Sequence, residues 1–165
     1  TIHIPKNSMK KVFLILFLLI SNGLMAQENS TKSSNPRLNN PLGITINFGG
    51  PSILLSASMD YFVNSNINIE AGTGFVGFFS GVKYHFNGEN DNKNWTPYVG
   101  LYLTHIPRIT LFNSVPPRTG LYIPVGIQYL SNNGFSFGVE VAGITLKDIG
   151  GGTNVWGGLK LGYHF

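Results

Sequence analysis

Apolar and polar residues alternate along most of the chain after residue 41, and this period of two is the clearest pattern in the sequence. Because successive side chains of a β-strand point to opposite faces, the alternation predicts strands with one apolar face each. Clusters of Gly, Pro, Asn and Ser separate the alternating segments, as is typical of turns. The pattern predicts eight strands in hairpin order, over residues 42–49, 52–63, 67–73, 75–86, 97–105, 119–130, 135–145 and 154–165.

The apolar face of each predicted strand contains no Asp, Glu, Lys or Arg. The other face carries Gly, Ser, Thr, Asn and Tyr with a few single charges, whereas the outer surface of a soluble barrel would be dense in Lys and Glu. A barrel whose apolar faces point to lipid explains the absence of charge on those faces better, because a Lys or Arg on a lipid-facing position at mid-bilayer costs about 2–4 kcal/mol. Backbone groups in hydrocarbon also need internal partners, so the sheet must close.

The sequence therefore predicts an all-β protein, an eight-stranded antiparallel up-and-down transmembrane β-barrel. A soluble lipocalin-like ligand binder, with its apolar faces turned inward, is the alternative fold.

The front of the chain predicts a secretory signal peptide over residues 9–26. Lys10 and Lys11 precede an unbroken apolar run over 12–20, and the segment ends on the small residue Ala26. That run is much shorter than the ~20 residues of a spanning helix. We interpret residues 1–8 as upstream, non-structural sequence, 27–41 as a disordered mature N-terminus and 42–165 as one barrel domain.

Composition and charge narrow the classes of function. Charged residues make up 11% of the chain and there is no cysteine. Loss of the leader removes Lys6, Lys10 and Lys11, which leaves 8 basic residues against 7 acidic ones and a net charge of +1. This charge does not favour a nucleic-acid partner. The sequence also lacks a zinc-ligand spacing, a phosphate loop and a nucleotide fingerprint, so we expect no cofactor and no metal.

Aromatic residues gather at one level of the predicted barrel. If both ends of the barrel domain lie in the periplasm, these aromatics flank the turns on that side and point to lipid. Such clustering predicts an interfacial aromatic girdle. Its predicted members are Tyr61, Tyr84, Phe86, Tyr129, Phe135, Phe137, Tyr163 and Phe165.

These features resemble the small eight-stranded outer-membrane barrels of the OmpA and OmpX type, over nearly all of the chain after the leader. The most specific part is the alternating final segment, with Leu159, Leu161, Tyr163 and Phe165. The resemblance implies Sec-dependent export, an outer-membrane location in a Gram-negative-type envelope, and contact with lipid and lipopolysaccharide. It also implies that the barrel-assembly machinery binds the final segment. Pro124 departs from the pattern because it cannot donate a ladder hydrogen bond, and we expect a local bulge there.

Titratable residues fall on the predicted inward face: Asp60, Glu70, Lys83, His85, Glu140, Lys160 and His164. A turn centred on Ser65 places Asp60 opposite Glu70, with Lys83 between them. A hairpin centred near residue 150 places Glu140 opposite Lys160. We interpret the set as an interior polar network in a barrel too narrow for a water channel. A narrow, porin-like pore or ion gate is the alternative.

Catalysis is not expected. The one candidate is His105, near Thr104 and Ser114, and a lipid-modifying membrane enzyme is the weaker alternative. The loop over residues 106–118 offers Arg108 and Arg118 to lipopolysaccharide phosphates. Its apolar residues, Ile109, Leu111 and Phe112, suit a surface partner. The expected role is that of a structural or surface-interaction protein of the outer membrane.

Overall fold

Eight antiparallel strands close into a barrel in the order in which they occur along the chain. The computed structural model describes residues 34–52, 54–75, 77–89, 94–107, 117–145 and 154–165. The predicted signal peptide lies outside the described residues. No helix within the described ranges is long and apolar enough to cross a membrane.

The strand boundaries agree with the sequence prediction to within three residues, and the predicted all-β up-and-down barrel is confirmed. The first and last strands pair, with Ile44 opposite Tyr163, so the sheet is closed as expected. The strands are β1 (Leu42–Gly49), β2 (Leu55–Phe62), β3 (Ile67–Gly74), β4 (Phe78–His85), β5 (Trp95–Ile106), β6 (Arg118–Leu130), β7 (Phe135–Thr145) and β8 (Asn154–His164).

Side chains alternate between the outside of the barrel and its interior along each strand. In β2, Met59 and Tyr61 are 52% and 46% exposed, whereas Ser58 and Asp60 are buried. The apolar faces therefore point outward and the polar faces inward. A lipocalin-like binder requires the opposite arrangement, so the structure contradicts that alternative.

Both ends of the barrel are covered by short segments of the chain. We call the end where β1 begins and β8 finishes the proximal end, and the other the distal end. At the distal end the 3-10 turn Gly50–Ser52 folds into the mouth, where Thr104 Oγ1 donates a hydrogen bond to the Pro51 carbonyl at 2.7 Å. Gly49 and Gly50 have φ values of 78° and 71°, which glycine adopts without strain and which allow this tight turn.

The proximal end is covered by a short helix, α1 (Pro36–Asn39), in a segment that we expected to be disordered. For residues 34–41 that prediction is wrong; residues 27–33 lie outside the described part of the chain. The helix forms because the Asn35 side chain caps it and Pro36 occupies its first turn. The Pro41 carbonyl then accepts a hydrogen bond from the Phe62 backbone N–H at 2.8 Å, which joins the segment to the barrel.

Pro124 causes no bulge, contrary to expectation. The ladder between β5 and β6 is interrupted between the pairs Val99↔Val125 and Tyr102↔Tyr122. The register is the same on both sides of the interruption, so neither strand has an inserted residue there. The residue across from Pro124 is Gly100, where an added Cβ would lie 2.9 Å from the proline ring. The missing side chain of Gly100 therefore makes room for the ring, and no inserted residue is needed.

Candidate functional site

The barrel interior brings together all seven titratable residues that the sequence analysis selected. Each is at most 6% exposed. They come from β2, β3, β4, β7 and β8, and tyrosines from β5 and β6 complete the wall around them. The seven are Asp60, Glu70, Lys83, His85, Glu140, Lys160 and His164.

Glu70 is the centre of the interior network. Its carboxylate lies 3.1 Å from Lys83 Nζ and 3.0 Å from Lys160 Nζ. Tyr102 donates its hydroxyl to Glu70 Oε2 at 2.6 Å, and Ser58 donates to Oε1 at 2.8 Å. Two cations and two hydroxyl donors therefore compensate one fully buried carboxylate.

Glu140 extends the network toward β5 and β6. It accepts hydrogen bonds from Tyr98 at 2.5 Å and from Tyr122 at 2.7 Å. Lys160 Nζ lies 3.6 Å from Glu140 Oε2, so Lys160 contacts both carboxylates. The ionic groups thus form a continuous chain from Lys83 through Glu70 and Lys160 to Glu140.

Lys160 is not directly opposite Glu140, and this predicted pairing is wrong. Glu140 pairs with Gly158, and Lys160 pairs with Gly138, so the register differs by two residues from the expected one. A shift of two keeps every side chain on the same face. Lys160 therefore still points inward, and it reaches Glu140 along a diagonal.

Asp60 lies opposite Glu70, as the turn at Ser65 predicts. Lys83 forms an ion pair with Glu70 and lies opposite Asn68 in the ladder, and no ion pair among the described residues joins it to Asp60. Asp60 instead accepts a hydrogen bond from Asn68 Nδ2 at 2.6 Å and lies 3.7 Å from His164 Nε2.

The proximal part of the interior is aromatic. The Phe62 ring lies between two histidine rings, with its centroid 5.2 Å from His85 and 5.7 Å from His164. His85 Nδ1 contacts Thr96 Oγ1 at 3.1 Å. The same hydroxyl accepts a hydrogen bond from Arg37 at 2.7 Å, which links α1 to the interior.

Arg37 is a site residue that the sequence analysis missed, and it is fully buried. Burial lowers the pKa of its guanidinium to about 10, so the group keeps its charge at neutral pH. Arg37 is a third interior cation beside Lys83 and Lys160, matching the three carboxylates in number. The Asn-Pro pair before it is a helix-start signal that could have identified the segment as ordered.

An apolar cluster lies on the distal side of the ionic network. Its members come from β4, β5, β6 and β7, and they fill the space below the Gly50–Ser52 turn. They are Phe79, Tyr102, Ile106, Tyr122, Ala142 and Ile144. Within the described ranges, no group of three or more His, Cys, Asp or Glu side chains is arranged to hold a metal ion.

The two described candidate catalytic residues, His105 and Thr104, point to opposite faces of the barrel. His105 lies on the outer face, where Nδ1 contacts Thr119 Oγ1 at 2.8 Å and the ring is 4.9 Å from that of Phe78. Thr104 points into the barrel and bonds to Pro51. Ser114 lies outside the described residues.

The eight predicted girdle aromatics all lie near the proximal end and point outward or partly outward. Ring contacts join Tyr163 to Phe165 at 5.1 Å. Trp95 belongs to the same level, 48% exposed and 5.1 Å from Tyr129, although the prediction began β5 after it. At the distal end, Arg118 begins β6 and is partly exposed, while the loop residues 108–116 lie outside the described part of the chain.

Comparison with solved structures agrees with this architecture. The chain superimposes on the crystal structure of the N-terminal β-barrel domain of Pseudomonas aeruginosa OprF with a TM-score of 0.56 and 20% sequence identity. The match covers 76% of this chain and 98% of that domain. The expected resemblance in fold is confirmed. No protein-family model and no curated protein sequence matches the chain.

Proposed function

We propose that this protein is an integral outer-membrane β-barrel with a structural or surface-interaction role and without catalytic activity. One observation carries the proposal: no outward-facing position of the eight strands holds Asp, Glu, Lys or Arg. Leu103, Val125 and Val141 in mid-strand are 58%, 62% and 58% exposed. Soluble monomers rarely expose apolar patches of more than a few hundred Å² (roughly 300–600 for the largest), and here the apolar surface surrounds the barrel.

The girdle supports a bilayer as the covering medium. Tyr and Trp prefer the level of the lipid headgroups, because their rings are apolar and their tips are polar. Trp95, Tyr84 and Tyr163 lie at the proximal level with 48%, 46% and 48% exposure. By analogy with the outer-membrane barrels that the fold resembles, we place the proximal end in the periplasm.

The packed interior favours a closed barrel over a pore. The interior of an eight-stranded barrel is narrow enough for its own side chains to fill it. Here ion pairs occupy the middle, an apolar cluster occupies the distal part, and a chain segment covers each end. We therefore propose that the barrel acts through its surface, through lipopolysaccharide phosphates near Arg118 and a surface partner at the loop over residues 106–118.

The outward face of the final segment supports the same location. The final strand alternates Leu159, Leu161, Tyr163 and Phe165 toward the outside, with exposures between 42% and 55%. We propose that the barrel-assembly machinery binds this face during insertion, and that the predicted signal peptide directs export.

Heat modifiability together with membrane fractionation tests the location. A folded barrel resists detergent denaturation, so unboiled and boiled samples should migrate differently on a denaturing gel. The unboiled form should be recovered with outer-membrane material on a density gradient. Equal mobility combined with recovery in the soluble fraction would contradict the proposal.

Planar-bilayer recording tests the closed interior. Purified refolded protein should give no reproducible channel conductance. Stable unitary currents that disappear on heat denaturation would instead favour the pore or ion gate.

A further inference from the structure

The segment over residues 35–40, which we call the plug, makes specific contacts with the proximal mouth. Asn35 and Arg37 are 1% and 0% exposed, which is unusual for polar residues near the end of a folded domain. The Asn35 amide both accepts from the Arg37 backbone N–H at 3.0 Å and donates to the Gly88 carbonyl at 2.7 Å. A segment that merely rested on the surface would not bury these groups.

The plug contacts two neighbouring proximal connections of the barrel. Asn35 bonds to Gly88 in the β4–β5 connection. At the other end of the plug, Asn40 Nδ2 donates to the Asn132 carbonyl in the β6–β7 turn at 3.3 Å. Hydrogen bonds to the barrel therefore hold the plug at both of its ends.

The mouth supplies acceptors that suit a guanidinium group. Arg37 donates to Thr96 Oγ1 at 2.7 Å and approaches the Asn94 carbonyl at 3.5 Å. Its guanidinium carbon also lies 6.0 Å from the centroid of the Phe62 ring. A planar cation with several donors can bond at its edge and contact an aromatic face, whereas the compact ammonium of lysine cannot reproduce both contacts.

All of these acceptors belong to the barrel, and all of the matching donors belong to the plug. The arrangement is that of a receptor and its peptide ligand within one chain. We propose that the proximal mouth is a binding site for an Asn-Pro-Arg peptide, and that residues 35–37 occupy it in cis. The plug thereby closes the mouth and excludes other arginine-containing peptides from it.

Covalent linkage explains why the site stays occupied. Pro41 joins the plug directly to β1, so the local concentration of the plug is in the millimolar range or above, as for short linkers in general. A free peptide of the same sequence should therefore compete poorly with the intact chain. It should bind well once the chain's own arginine is removed.

Docking of the plug can be measured in the full mature chain, which has no cysteine. A nitroxide at Leu38→Cys, a half-exposed position in α1, reports mobility in detergent. The label should be immobile in the otherwise unsubstituted chain and mobile in Arg37→Ala. It should also be mobile in Asn35→Ala, which removes the helix cap without a change in charge. Arg118→Ala removes the same charge at the distal end and should leave the label immobile. An immobile label in both plug variants would overturn the proposal.

Binding in trans is measured with a fluorescent synthetic peptide of residues 34–40 and a second peptide with Ala in place of the arginine. The Arg37→Ala barrel should bind the first peptide saturably, and about tenfold more tightly than the second, since a lost charge-assisted hydrogen bond is worth at least this factor. The unsubstituted barrel should bind the first peptide at least about tenfold more weakly, because its site is filled. Equal binding of both peptides, or equal binding by both barrels, would refute a specific site. Heat modifiability of each variant shows that it is folded.

Discussion

Substitution Glu70→Gln tests the interior network where its charges are most concentrated. The change keeps the shape of the side chain but removes the negative charge shared by Lys83 and Lys160. Both ammonium groups then lie in the interior with Glu140 as the remaining carboxylate of the ionic chain, 3.6 Å from Lys160. We expect a large loss in the free energy of unfolding.

The contact distances give the magnitude. At 3.0–3.1 Å, each Lys–Glu70 pair has a gross attraction of ~5 kcal/mol for an effective dielectric constant near 20. Much of this attraction offsets the cost of desolvating the charges. Removal of one member of a buried ion pair costs about 3–5 kcal/mol, because the other charge is left uncompensated. We expect Glu70→Gln to lie in this range.

Lys83→Met alone should cost less, about 1–2 kcal/mol, because Glu70 keeps Lys160 and two hydroxyl donors. The double variant removes one charge of each sign and leaves Lys160 beside Glu140. It should therefore be more stable than Glu70→Gln alone, with a coupling energy of about 2 kcal/mol or more.

The assay is urea unfolding of refolded protein in lipid vesicles, followed by circular dichroism. Glu70→Gln combined with Arg118→Met is the matched control, because Arg118 makes no ion pair with Glu70 among the described contacts. The losses in unfolding free energy of these two substitutions should be additive. Additivity of Glu70→Gln and Lys83→Met to within about 0.5 kcal/mol would refute the network as described.

Three further predictions concern the outer face, the interior packing and assembly. Val125→Arg places a charge at an outward position that is 62% exposed, and in vesicles it should cost about 2–4 kcal/mol by urea unfolding; a cost below about 0.5 kcal/mol, usual for a water-exposed site, would contradict a lipid contact. Gly81→Ala brings a Cβ against the Leu101 carbonyl oxygen and to 2.5 Å from ring atoms of Tyr102, and it should lower the unfolding free energy by about 1–3 kcal/mol; an unchanged urea midpoint would contradict this close packing of β4 against β5. Deletion of Phe165 should reduce outer-membrane insertion in cells more than it reduces the stability of refolded protein, and normal insertion would exclude the residue as an assembly signal.

Alternation of polar and apolar residues was sufficient to predict the barrel and the side to which each strand residue points. The side depends only on whether a residue is odd or even within its strand, so errors of two residues leave it unchanged. The same period of two cannot distinguish registers that differ by two residues, and the predicted pairing of Glu140 with Lys160 was therefore wrong. The sequence over residues 146–153 does not show which residue lies at the centre of the β7–β8 hairpin. The strand register in the structure was needed to find it.

Arg37 could not be found from periodicity, because its segment is too short and too polar to have any. Its burial depends on acceptors that lie far away in the sequence, at Asn94 and Thr96. Pro124 was misjudged for a similar reason. The prediction considered one strand alone, whereas the space for the proline ring comes from Gly100 on the neighbouring strand.

The most direct test of the central claim, that lipid surrounds the barrel, is the collisional accessibility of a nitroxide at Val125→Cys. The chain has no other cysteine, and the protein would be refolded into lipid vesicles. The label should collide often with oxygen, which concentrates in the bilayer, and rarely with a water-soluble nickel chelate. A label that the nickel chelate reaches as readily as oxygen does would contradict the account.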